Sequence, residues 1–289
     1  MKSIKKAFII FGLALMINNQ TSAQKVTKED KPPEYGWQKE LVSSLNIAQS
    51  SYDHWVQGGE NTLAWQLSIN SRFENEQPKY NWSNTGKIAY GKNKIGDAES
   101  RKTADEIILE AVFTYKLGLY VNPYIALKGQ TQFTTGYAYT DTSKKAISDF
   151  FDPAYFIQSL GLGYSPSEEF KARLGFALKE TFTRNYPVPY ADNPDTPEIE
   201  KTRVEAGMDL VAEFKKKLAE NVLFTSKLDS FCNFKRFDTI DVNWDNLFSA
   251  RVSRYLSASY NFTLLYDKDQ SSKRQVKQIL ALTLTFSFL

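Results

Sequence analysis

Histidine and cysteine are nearly missing from this chain of 289 residues, with His54 and Cys232 the single examples. One thiol forms neither an internal disulfide framework nor a cysteine metal cluster, which excludes a small stapled domain. One imidazole leaves histidine-based catalysis a single address. His54 stands beside Asp53 and near Ser50 and Ser51. Nucleophilic triads assemble from separate segments, so an ordinary loop histidine is expected there and no catalytic residue is assigned.

Long apolar runs are scarce too. The run at residues 7–17 follows Lys2, Lys5 and Lys6 and precedes the small residues Thr21, Ser22 and Ala23. It is shorter than the roughly 20 residues a spanning helix needs, and the layout is that of a secretory signal. Cleavage is expected before Gln24, and no cysteine follows to carry a lipid. A net excess of charge is also absent from the remainder. The chain has 36 basic and 33 acidic residues, and the leader holds three lysines and no acid. The 266 residues left carry 33 of each sign, which gives no electrostatic reason to expect a nucleic-acid partner. Gly/Ser linkers, low-complexity blocks and convincing amphipathic helices are missing as well.

What is present is alternation. In the last stretch Leu280, Leu282, Leu284, Phe286 and Phe288 oppose Ala281, Thr283, Thr285 and Ser287. Ile107, Leu109, Phe113 and Tyr115 oppose Ile108, Glu110 and Thr114, and Val204, Met208 and Leu210 oppose Arg203, Glu205 and Asp209. Period two puts each set on one face of a strand. About twelve strands are expected, near 41–50, 61–75, 80–91, 105–117, 120–140, 154–164, 169–184, 198–217, 220–231, 239–252, 255–267 and 274–289. Several exceed the five or six residues usual in globular sheets and match strands that cross a bilayer. Short and long connections alternate, with Tyr and Trp such as Tyr80, Trp82, Tyr137 and Tyr139 near strand ends. The fold class expected is all-β, a transmembrane antiparallel up-and-down barrel. Residues 1–23 would be the signal, 24–40 a short periplasmic segment and 41–289 the barrel. A core-aromatic soluble β domain is the competing architecture.

The pattern W-x-x-G-G-x-N at Trp55, Gly58, Gly59 and Asn61 occurs with Tyr90-Gly91-Lys92, with residues 149–155 (DFFDPAY) and with Leu265-Tyr266-Asp267-Lys268-Asp269. Together they resemble a Bacteroidota outer-membrane barrel family known only as domain of unknown function 3078. The resemblance covers most of the mature chain. It implies an outer-membrane location in a Gram-negative bacterium, and it offers no activity or catalytic residue to carry over. The Gly-Gly pattern itself is read as turn architecture. The final strand resembles those that barrel-assembly machinery recognises, although Leu289 rather than an aromatic is last.

Charges expected to face the lumen are Lys128, Lys171, Arg173, Lys179, Arg203, Glu205, Asp209 and Glu213. Bases beside acids point to ion pairs more than to acid–base catalysis. Asp192, Asn193, Asp195 and Glu198 make an oxygen-rich loop without the spacing of a calcium loop, and Gly161-Leu162-Gly163 lacks the third glycine of a dinucleotide site. No cofactor or metal is expected. Partners would be membrane lipid, the assembly machinery and a small solute. The leading expectation is a narrow pore or small-solute transport barrel. The alternative is a non-conducting structural or interaction barrel whose charges fill the lumen, and third is a hydrolase with a rim site at His54.

Overall fold

The computed structural model describes residues 35–54, 56–140, 143–193, 196–237, 239–268 and 273–288. Among them there are strands and no helix. The strands are β1 (Gly36–Ser50), β2 (Thr62–Glu76), β3 (Tyr80–Ile95), β4 (Arg101–Tyr115), β5 (Val121–Thr131), β6 (Gly136–Tyr139), β7 (Lys144–Ser148), β8 (Ala154–Tyr164), β9 (Phe170–Phe182), β10 (Thr202–Ala219), β11 (Val222–Asn233), β12 (Ile240–Arg251), β13 (Leu256–Tyr266) and β14 (Gln275–Ser287). Twelve of them form a closed barrel, each antiparallel to its neighbours, and β6 with β7 make a separate hairpin. Closure removes both sheet edges, the condition for placing strands in lipid.

The barrel closes where β14 meets β1, with Asn46 opposite Thr283 and Ile47 opposite Leu282. Thr283 bridges the seam: its hydroxyl donates to Asn46 Oδ1 at 2.7 Å and lies 2.7 Å from Ser259 Oγ. Past the strand, Phe288 N–H donates to Leu41 C=O at 2.9 Å. The leucines and phenylalanines of β14 face outward, as their alternation requires.

Apolar and charged residues are inverted relative to a soluble protein. Leu280 is 77 % exposed and Phe176 63 %, whereas Glu110, Glu205 and Asp209 are each 7 % exposed. An apolar exterior around a charged interior is the arrangement of a barrel solvated by lipid. Aromatic pairs sit at the strand ends: Tyr80 with Phe113 and Tyr255 with Phe286 at one end, Phe151 with Phe156 and Phe156 with Phe182 at the other. The first end has the connections 77–79, 116–120, 165–169, 220–221 and 252–255, none longer than five residues; the other has all the longer ones, together with the five-residue link 96–100.

Two expectations need adjustment. The single strand expected over 120–140 is broken, because β5 ends at Thr131 and residues 136–139 belong to the hairpin. The cause is Asp105, whose carboxylate accepts from the backbone N–H groups of Phe133 (2.7 Å) and Thr134 (2.9 Å) and draws the chain off the sheet. Tyr137 and Tyr139 therefore lie on the hairpin, not on a barrel strand. Strand β1 also begins at Gly36, paired with Glu76, five residues earlier than alternation indicates.

Candidate functional site, a lumen bridged by ion pairs

Three neighbouring strands carry the tightest part of the wall. Gly161 of β8 pairs with Gly175 of β9, and a Cβ on Gly175 would stand 2.5 Å from Leu160 C=O and 2.6 Å from Tyr124 Oη. On β10, a Cβ at Gly207 would run into Cys232 C=O and come within 2.8 Å of Phe231. Side chains are excluded there by close approach, and such glycines let a sheet turn sharply.

The bend has a measurable result. Lys227 Nζ of β11 reaches Glu110 Oε2 of β4 at 3.2 Å, although β5, β8, β9 and β10 lie between those strands around the wall. A round barrel of twelve strands, spaced ~4.8 Å and tilted about 40°, would be roughly 24 Å across. One lysine and one glutamate cannot span that. The section is pressed in at this height, bringing β4 and β5 toward β11 and β12.

Charges meet across the narrowed section. Glu110 accepts from Arg173 of β9 as well as from Lys227. Lys128 of β5 pairs with Asp229 of β11 at 3.0 Å. Lys179 of β9 pairs with Asp241 of β12 at 2.5 Å and stands 3.9 Å from Glu205 of β10. Glu205 also takes Arg203 at 2.7 Å and Asn233 Nδ2 at 2.8 Å, and Tyr124 donates to Asp209 at 3.3 Å. Buried charges persist only when paired and hydrogen-bonded in this way.

Cavities lie to either side of this mid-height band, and Glu110 and Arg173 line space on both sides. Toward the short turns, a vestibule of about 940 Å3 is lined by Glu74, Lys171, Glu213 and Lys215, and an adjoining space of about 750 Å3 reaches Glu110 and Arg173. Toward the long loops, a smaller cavity of about 240 Å3 lies above the Glu110–Arg173 and Lys128–Asp229 pairs.

The eight charges picked from the sequence have these places. Lys128, Arg173, Lys179, Glu205 and Asp209 take part in the central network, Arg203 flanks it through Glu205, and Lys171 and Glu213 line the vestibule. Glu110, Lys227, Asp229 and Asp241 were not picked, yet they supply the opposite halves of the bridges. Their signal was the same alternation: Lys227 and Asp229 flank Leu228 in β11 as Glu110 follows Leu109 in β4.

Of the W-x-x-G-G-x-N pattern, Trp55 lies outside the described residues. Gly58 and Gly59 have φ of +82° and +146°, and a Cβ on Gly59 would strike the Tyr52 ring at 2.9 Å. Asn61 Oδ1 accepts from Tyr52 N–H at 2.6 Å and its C=O from Gly96 N–H at 2.7 Å, tying two loops together. That is turn architecture. His54 is almost fully exposed, with Asp53 2.7 Å from its Nδ1. In the loop expected to be oxygen-rich, Asp195 lies outside the described residues; Asp192 accepts from Glu200 N–H at 3.2 Å and Glu200 from Asn193 N–H at 3.1 Å, so those carboxylates serve the backbone. Bonds to Thr196 and Asn193 hold the Glu200 carboxyl below its usual range.

Residues 47–137 match the family model described as a protein of unknown function, DUF3078. That stretch runs from late β1 into β6, about a third of the chain. No curated protein matches the sequence. Among solved structures, the chain is similar to an outer membrane channel from Pseudomonas putida F1 (11 % identity, 90 % of this chain and 98 % of that one, TM-score 0.42). It is also similar to the translocator domain of the autotransporter NalP from Neisseria meningitidis (9 % identity, 89 % and 90 % covered, TM-score 0.39) and to Pseudomonas putida OprB (9 %, 88 % and 94 %, TM-score 0.37). Likeness this slight carries no argument about cargo. The barrel itself rests on the strand pairing.

Proposed function

We propose that the protein is an outer-membrane transport barrel for small polar solutes, without enzymatic activity, whose lumen is held shut at mid-height by ion pairs. The observation that carries this reading is the meeting of Glu110 with Arg173 and Lys227 from facing walls, between a wide polar vestibule and a smaller polar cavity. Polar space on both sides of a narrow charged waist suits passage of water-soluble cargo, and the pairs set its resting state. Short turns would face the periplasm and long loops the exterior.

Entry of a small sugar into proteoliposomes tests the proposal. Slow entry with the native protein, and faster entry with Glu110→Gln, is the expected result. A second reading, a non-conducting structural barrel, draws on the further bridges Lys128–Asp229 and Lys179–Asp241, which brace the same section. Impermeable vesicles with both folded proteins would select it and reject transport.

A further inference from the structure

The outer wall carries a feature that the lumen does not explain. A groove of about 670 Å3 crosses the lipid-facing side of the sheet from β3 to β10. Its lining falls in two rows along the direction of strand pairing. One row runs through Trp82, Ile125 and Phe176, and the next through Ala111, Gln158 and Ala206. The rows are two residues apart on each strand, about 7 Å, and the alanines at both ends of the second row lower the surface there. Gln158 is directly opposite Leu178 on the outward face, and its Nε2 donates to Glu180 Oε2 at 3.0 Å. Glu180 faces outward as well, because Lys179 beside it points into the lumen toward Asp241. It stands directly opposite Phe156, in the aromatic belt at the long-loop end. Among the described residues, Gln158 is the only hydrogen-bond partner of that carboxylate. An anion at the membrane boundary with a single amide beside it is costly and marks a functional contact.

From these features we infer that the groove holds one membrane lipid with an ammonium headgroup, its ammonium on Glu180 and one acyl chain in the slot below. The inference goes beyond the transport reading and does not depend on the lumen conducting. Placement agrees. The carboxylate is level with the aromatic belt, the height of lipid headgroups. The apolar slot leads from there to Trp82, two residues from the short-turn end of β3. Size agrees too. A cavity of about 150 Å3 holds benzene, so 670 Å3 takes roughly 25 non-hydrogen atoms, enough for one acyl chain and its linkage. Width separates a lipid from a protein partner: a hydrocarbon chain enters between rows about 7 Å apart, whereas a helix about 10–12 Å across would rest on their rims.

Native mass spectrometry of the detergent-folded full chain, whose folding is checked by a mobility difference between unboiled and boiled gel samples, tests the site without requiring conduction. The probes are myristoyl lysophosphatidylethanolamine, which has the ammonium, and myristoyl lysophosphatidylglycerol, which has the same chain without it. The ethanolamine lipid is expected to stay on as a one-to-one adduct, bound about tenfold more tightly than the glycerol lipid, the scale of one charge-assisted hydrogen bond. Glu180→Gln should abolish the preference, and Ala206→Trp, which fills the slot, should lose both adducts while the gel shift persists. Equal retention of the two lipids by the native protein, a preference that survives Glu180→Gln, or adducts untouched by Ala206→Trp would each overturn the inference. A pair of barrels that Ala206→Trp separates would overturn it as well, by giving the groove to a second copy of the chain.

Discussion

The two sides of the lumen are built from different chemistry. On the side formed by β4, β5 and β8–β12, acids and bases face each other and pair across open space. Around the seam, β13, β14 and β1 present Ser259, Asn261, Thr283 and Asn46, small uncharged groups bonded to strand neighbours. The difference follows wall curvature. Where glycines let β8, β9 and β10 bend, facing walls come close enough for long side chains to meet, and desolvation makes pairing compulsory. Around the seam short hydroxyls and amides suffice, because nothing has to reach across. The charged side narrows the lumen, and the seam side closes the sheet.

The largest effect is expected at the bend itself. Gly207→Val should prevent the mature barrel from forming, seen as loss of the mobility difference between unboiled and boiled gel samples, because Cβ would clash with the Cys232 carbonyl. A folded, fully stable variant would show that the bend does not need glycine.

Next is Glu110→Gln, which takes the anion from the buried Arg173, while Lys227 keeps Glu213 at 3.5 Å. Removal of one partner of a buried pair costs about 3–5 kcal/mol, to be read from denaturant unfolding in detergent. Thr283→Val at the seam, which removes a hydroxyl bonded to Asn46 and Ser259, should cost about 1 kcal/mol. Equal losses at the two sites would erase the distinction between the sides.

The smallest effect lies outside the membrane, on the hairpin of β6 and β7. A hydrogen bond from Lys144 at 2.7 Å lowers the Glu99 pKa, and the same bond raises that of Lys144. A carboxyl depressed on folding adds stability above its unfolded pKa and loses it as pH falls through the folded value. The tie is therefore intact at neutral pH and released in acid, as pH falls below the ordinary glutamate range. Trypsin cleavage after Lys144 at pH 8 should be about twofold faster in Glu99→Gln, the scale of an exposed ion pair. An NMR titration of the Lys144 amide should show its acid midpoint below the ordinary glutamate value.

Much of the barrel was legible in the sequence because a period of two assigns each residue to a face without knowledge of its neighbours. Leu280 outward and Arg173 inward follow from spacing alone. Pairing across the lumen does not, since Glu110 lies 63 residues from Arg173 and 117 from Lys227. Those meetings depend on how sharply the wall turns at Gly161, Gly175 and Gly207, and alternation says nothing about curvature. The break after Thr131 was hidden for a related reason. Phe133 continues the apolar alternation, and the carboxylate that pulls it from the sheet belongs to Asp105, 28 residues away.

Single-channel recording in a planar bilayer tests the closed waist most directly. With the waist closed, the native protein should stay mostly shut with brief small openings, and Glu110→Gln, at equal insertion, should give a sustained larger conductance. A native protein already fully open, with conductance unchanged by the substitution, would contradict it.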